Sequence, residues 1–115
     1  MRLTSEFWVS HLIRRTFNDG GYAAIARKGA VEAGSIFVRS RARNGLTDLY
    51  GPAPQTVYDN EKPQDRAFVL LLEKANDETI DAKLDRELKF DSDLWVVEVE
   101  LGKTGLNEMI DIKTL

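Results

Sequence analysis

Residues 29–55, GAVEAGSIFVRSRARNGLTDLYGPAPQ, decide how the chain reads as a fold. Asn44-Gly45 stands between two runs of strand-forming residues. Asn-Gly is the strongest short hairpin signal, because both central positions of a type I′ turn need positive φ. Ser35–Arg43 and Leu46–Tyr50 are therefore expected to form a β-hairpin with a two-residue loop. Counting outward from that turn places Arg43 opposite Leu46, Arg41 opposite Asp48 and Arg39 opposite Tyr50. Side chains alternate along a strand. Ile36, Val38, Ser40 and Ala42 thus form the expected core face, and Phe37, Arg39, Arg41 and Arg43 the other.

Upstream, residues 5–19 read as a helix, with Val9, Leu12, Ile13, Thr16 and Phe17 at the spacing of a buried stripe. Thr4 or Ser5 caps its start and Gly20-Gly21 ends it; LTSEFW also alternates as a short strand would. Tyr22–Lys28 is the next strand, and Gly29–Gly34 a small loop leading into the hairpin. Downstream, Gly51-Pro52-Ala53-Pro54 is expected to end strand pairing, since proline has no N–H to donate. Residues 55–65 read as a polar loop, and Ala67–Leu72, apolar on both faces, as a central strand. Asn76 or Asp77 caps a helix over residues 77–90, whose narrow stripe is Ile80, Leu84 and Leu88, with Phe90 at its end. Leu94–Leu101 is the last clear strand; Met109–Leu115 adds a weak edge strand or a partly ordered tail. The reading is a single α+β domain over residues 1–115, with a weakly ordered tail from about residue 102. Its order is α-β-β-β-β-α-β, around a mainly antiparallel sheet.

Composition narrows the function classes. A chain of 115 residues, 43% hydrophobic and 30% charged, has the size and balance of one soluble domain. No apolar run approaches the ~20 residues that span a bilayer. Glu6 and His11 interrupt any N-terminal apolar segment, and Arg14-Arg15 stand where a signal-peptide cleavage site would be. The protein is expected in the cytoplasm, away from membranes. The absence of cysteine excludes disulfides, thiolate nucleophiles, iron–sulfur clusters and cysteine-based zinc sites, and a single histidine excludes multi-histidine metal sites. No cofactor is expected. Residues 1–43 hold eight basic and three acidic side chains, while residues 44–115 hold eight basic and sixteen acidic ones. Such asymmetry points to a polyanion partner, or to two halves that neutralise each other across the sheet.

The candidate binding residues are Phe37, Arg39, Arg41 and Arg43 on one strand face, with Tyr50 and Tyr58 as aromatic contacts. Strand arginines beside aromatics suit phosphate contact and base stacking. The competing reading pairs Arg41 with Asp48, lays Arg39 over Tyr50 as a cation–π contact, and brings Glu98 and Glu100 from a neighbouring strand. Gly29-x-x-x-x-Gly34-Ser35 and Gly102-Lys103-Thr104 each hold half of a phosphate loop; the first lacks the lysine, and Val97 occupies the first-glycine position of the second. Asp91-Ser92-Asp93 with Glu98 and Glu100 offers oxygen ligands, but aspartates there also shape a turn. His11 is the one available imidazole base, and Ser10 beside it lies on a different helix face.

Four stretches in order, LTSEFWVSHLIRR, RKGAVEAGSIFVR, LYGPAPQ and FDSDLWVVEVE, resemble a family of small bacterial proteins known as domain of unknown function 1491. The resemblance covers residues 2 to about 101 and leaves out the last turn and tail. It implies a compact, soluble, non-secreted bacterial protein and brings neither a reaction nor a ligand. The residues therefore favour a non-enzymatic interaction module that binds another protein or itself, by strand addition at an open edge. The alternative is nucleic-acid or other polyanion binding through the basic half. An enzyme ranks last, since it would need a carboxylate-only or His11-dependent mechanism.

Overall fold

A computed structural model describes residues 3–54 and 66–114 of the chain. The N-terminal stripe forms α1 (Ser5–Asn18), with Val9, Leu12 and Thr16 buried. Thr4 caps it: its hydroxyl oxygen accepts the N–H of Phe7 at 3.1 Å, satisfying a donor the first helical turn leaves open. Phe17, expected within the buried stripe, is instead 50% exposed.

The chain then runs through β1 (Tyr22–Arg27), β2 (Ile36–Arg41), β3 (Thr47–Pro52), β4 (Ala67–Ala75), α2 (Asp77–Phe90) and β5 (Trp95–Glu100). A short α3 (Leu106–Met109) and a two-residue β6 (Asp111–Ile112) follow. The first seven elements keep the expected order. The six strands form one sheet in the order β1-β5-β2-β3-β4-β6. Pairs β1–β5, β2–β3 and β3–β4 are antiparallel; β2–β5 and β4–β6 are parallel. The fold is α+β, with a mixed sheet. The β2–β5 pair is parallel because α2 carries the chain across one face of the sheet before β5 inserts between β1 and β2; β6 reaches β4 through the connection that holds α3.

Each face of the sheet has its own core. On one, Val9 and Leu12 of α1 and Leu106 of α3 pack against Ile36, Val38, Trp95, Val97 and Val99. On the other, Ile80 and Leu84 of α2 pack against Phe37, Leu49, Leu94 and Val96. Burying one such large side chain stabilises by about 1.5–3 kcal/mol. The face of β2 carrying Phe37 and Arg39 is therefore covered by α2; it is not a wet face.

The hairpin forms one residue out of the expected register, with Val38 opposite Tyr50, Arg39 opposite Leu49, Ser40 opposite Asp48 and Arg41 opposite Thr47. Its loop is three residues long. Gly45 N–H donates to the Ala42 carbonyl at 2.9 Å, and Ala42 N–H donates to the Leu46 carbonyl at 2.9 Å. Gly45 has φ +85°, whereas Asn44 is not among the residues with positive φ. That is the three-residue hairpin loop, a turn closed by a left-handed glycine, and not the type I′ turn.

Strand β3 also continues through Gly51 and Pro52, which was expected to end the pairing; Pro52 lies opposite Phe68. Ala53 N–H donates to the Ala67 carbonyl at 2.9 Å. The nitrogen one residue earlier points the other way, toward β2, whose ladder with β3 ends at Val38–Tyr50. Pro52 loses no hydrogen bond there.

Candidate interaction surface

The arginines of β2 are held by carboxylates. Arg39 is 8% exposed. Its Nη1 donates to Asp81 Oδ1 at 3.0 Å and its Nη2 to Asp77 Oδ1 at 3.2 Å. Arg41 donates through Nε to Glu98 Oε1 at 3.1 Å and through Nη2 to Asp77 Oδ1 at 3.0 Å. The hydrogen bond from Arg41 holds the Asp77 carboxyl below the ordinary aspartate range, with the charges of Arg41 and Arg39 acting in the same direction. The bonds to Asp77 and Glu98 raise Arg41 in turn.

Of the two neighbour-strand carboxylates expected, Glu98 stands beside Arg39 across the β2–β5 ladder and takes Arg41, while Glu100 lies opposite Tyr22 of β1. The hairpin partners named with them are not used. Asp48 Oδ1 instead accepts the N–H of Lys74 at 2.8 Å. Tyr50 is half-buried and packs with the α1-side core, on the sheet face opposite the Arg39 guanidinium. Burial pushes its phenol upward, with the charges of Asp48 and Glu73 adding to the shift. The one-residue register shift and the cover of α2 account for both corrections. Phe37 is buried under α2 beside Leu49 and Ile80. Arg43 is exposed in the hairpin turn. Tyr58 and the loop 55–65 lie outside the described residues.

The two half-motifs for phosphate are tied into the fold. Gly29 and Gly34 lie so close to the Asp93 carbonyl that a Cβ at either position would collide with it. Ser5 Oγ donates to the Gly34 carbonyl at 2.6 Å, and Ser5 and Glu6 N–H donate to Glu32 and Val31, each at 3.1 Å. This loop thereby satisfies the start of α1, while Trp95 Nε1 donates to Ala30 at 2.8 Å. In the second half-motif, Thr104 donates through its N–H and hydroxyl to the Asp19 carboxylate, each at 2.6 Å. These two bonds, the hydroxyl first, hold Asp19 below its ordinary range. Asp91 Oδ1 accepts Asp93 N–H at 2.9 Å, shaping the turn into β5. Among the described residues no group of three His, Asp or Glu side chains stands close enough to hold a metal ion.

What remains open is the sheet's β1 edge. Strand β1 pairs with β5, and among the described residues no strand flanks its other side. Helix α1 runs antiparallel to β1 across the short turn. Phe17 meets Tyr22 edge-on at one end, with ring centroids 5.5 Å apart. Lys28 Nζ lies 3.7 Å from Glu6 Oε2 at the other. Between them α1 presents Phe7, His11, Arg14 and Phe17, spaced as one helical stripe outside its buried face. Phe7 is 59% exposed, Tyr22 49% and Ile25 44%. A depression of about 400 Å³ lies between α1 and β1, lined by Phe7, His11, Arg14, Ile25 and the Glu6–Lys28 pair, with Trp95 beneath. This surface was not singled out from the sequence; the signal there is Phe7, an aromatic side chain outside the Val9–Leu12–Thr16 stripe.

The family model of a protein of unknown function, DUF1491, matches residues 3–106. A solution structure of a protein from A. tumefaciens is 50% identical, with a TM-score of 0.82 over 97% of this chain and 95% of that one. A crystal structure of a DUF1491 protein from Caulobacter crescentus is 28% identical, with a TM-score of 0.77 over 99% of this chain and all of that one. An NMR structure of a DUF1491 protein from the same organism is 27% identical, with a TM-score of 0.76 over 99% of both chains. No curated protein matches the chain.

Proposed function

We propose that this chain, which belongs to the DUF1491 family, is a non-enzymatic protein-interaction module that adds an extended segment of a partner to β1. The observation that carries the reading is the β1 edge, with no flanking strand among the described residues and with exposed Tyr22 and Ile25. Natural sheets blunt their edges with charges, bulges or covering elements. The other margin, where β6 pairs with only the first two residues of β4, also exposes Leu70, but it carries Glu73 and Lys74 near its end, with Lys74 at φ +49°. Edge β1 has a bulge near Ile25, but exposed apolar side chains around it. An open edge supplies backbone hydrogen bonds to an incoming strand, and neighbouring pockets select its side chains. The absence of cysteine suits a cytoplasmic protein, and no helix among the described residues is long and apolar enough to cross a membrane.

A polyanion surface on the hairpin would require free guanidiniums. Arg39 and Arg41 already hold three carboxylates between them, which leaves Arg43 of the original three. Photo-crosslinking in living cells separates the two readings. A crosslinking residue at Ile25 should give discrete protein adducts, and one at Phe90, 88% exposed on the far end of α2, should not. Adducts to nucleic acid alone, or equal protein yields from both positions, would overturn the proposal.

A further inference from the structure

We infer that the segment taken up along β1 belongs to a different protein and carries the pattern apolar-x-(Asp/Glu)-x-apolar on its α1-facing side; this rests on the strand-addition reading above. The α1 stripe is apolar at both ends, Phe7 near Ile25 and Phe17 against Tyr22, and His11 and Arg14 lie between. Arg14 is exposed and makes no hydrogen bond or ion pair among the described residues, so its guanidinium is available to an incoming carboxylate. Lys28 adds a second cation, engaged by Glu6 in a pair between two half-exposed side chains at 3.7 Å. Such surface pairs hold weakly and exchange readily.

The dimensions agree. Ten helical residues from Phe7 to Phe17 rise ~15 Å. Three same-face side chains of an extended strand span ~13 Å. The middle one therefore faces the cationic part of the stripe while the outer two meet the aromatic ends. The pattern is palindromic, so it serves a parallel or an antiparallel added strand equally.

Charge also selects against a second copy of this chain. The β1 of a second copy, YAAIAR, carries no acidic side chain to offer Arg14, so it lacks the carboxylate this stripe would take.

The test is selection from a display library of random peptides long enough to span β1, with the full chain as bait. The expected consensus is apolar-x-acid-x-apolar. A synthetic consensus peptide should lose about tenfold or more in affinity against Arg14→Glu and against Ile25→Lys. Thermal melts of both variants should stay near wild type, and a lysine in place of the peptide's acid should restore binding to Arg14→Glu. A consensus without acid preference that is still lost in Ile25→Lys would overturn the charge pattern and leave strand addition standing. No enriched peptide, or binding indifferent to both variants, would overturn both. Sedimentation showing a dimer that Ile25→Lys dissolves would make the occupant a second copy and overturn the inference.

Discussion

Arg39 and Arg41 on β2 and Arg14 on α1 carry the same charged group in opposite circumstances. The pair on β2 sits mid-sheet, under a helix, with Asp77, Asp81 and Glu98 on its guanidiniums. Arg14 stands at the sheet's margin, with no strand beyond it among the described residues. A run such as Arg39-Ser40-Arg41 concentrates charge along the sequence. Its fate is decided by side chains 36 to 57 residues away, which sheet pairing and the α2 crossover bring alongside. The lesson is that arginines inside a covered sheet belong to its structure, and those at its rim are free for partners.

The sharpest way to break this contrast is Arg39→Glu. It would place a buried anion beside Asp77, Asp81 and Glu98, and should cost about 4 kcal/mol, the range for an uncompensated buried charge. Arg39→Met keeps the aliphatic stem and should cost less, about 1–2 kcal/mol. Urea unfolding at neutral pH checks both. A loss under about 1 kcal/mol for Arg39→Glu would mean the guanidinium is not held as described.

A second, smaller effect is pH dependence. The carboxyls of Asp77 and Asp19 both sit below their ordinary range in the folded chain. A depressed carboxyl contributes stability that is fully present above its unfolded value, ~3.9, and is lost as pH falls through the lower folded value. Asp77→Asn should therefore be less stable than wild type at neutral pH, with the gap closing below about pH 4. Urea midpoints measured from pH 7 to pH 3 would show it. A constant gap would assign the loss to helix capping or packing, not to the ion pair.

Much of the fold was legible. The Thr4 cap, the α1 stripe around Val9 and Leu12, the apolar β4 and β5 runs and the Asn76-capped α2 are local patterns, and each element formed where its pattern lies. Three features were not legible, for physical reasons. Asn-Gly suits both a two- and a three-residue loop, and the choice shifts the register by one. Insertion of β5 beside β2 is a pairing of distant segments with no local signature. Asp77 and Asp81, one helical turn apart, read equally well as solvated residues until α2 is laid over Arg39. Strand addition was expected at an open edge of the hairpin, whereas β2 and β3 lie inside the sheet and the uncovered margin among the described residues is β1. The alternating face of Phe37 and the arginines looked wet only while α2 had no assigned place.

This also changes how the polyanion reading must be tested. Reversing Arg39, Arg41 and Arg43 together would damage the ion pairs under α2, so lost nucleic-acid binding would report on folding. Arg43→Glu alone leaves those pairs intact, and as an exposed turn substitution should stay within about 0.5 kcal/mol of wild type. Salt-sensitive RNA binding by wild type that Arg43→Glu abolishes would favour the polyanion class; no binding at low salt is the expected result.

The smallest expected change in stability is at Arg14, and it sharpens the contrast most. Arg14 is exposed and unpartnered among the described residues, so Arg14→Ala removes no folded-state ion pair. It should shift stability by no more than about 0.5 kcal/mol, against several for Arg39. If the rim arginine is reserved for a partner, the same substitution should still weaken capture of an acidic extended peptide, and added salt should narrow the difference between wild type and variant. Urea unfolding and a peptide titration at two salt concentrations, on the same preparation, measure both quantities. A large stability loss at Arg14 would place it with Arg39 and erase the distinction between covered and marginal arginines. Neutral stability with weakened, salt-sensitive binding would separate the two roles within one small sheet.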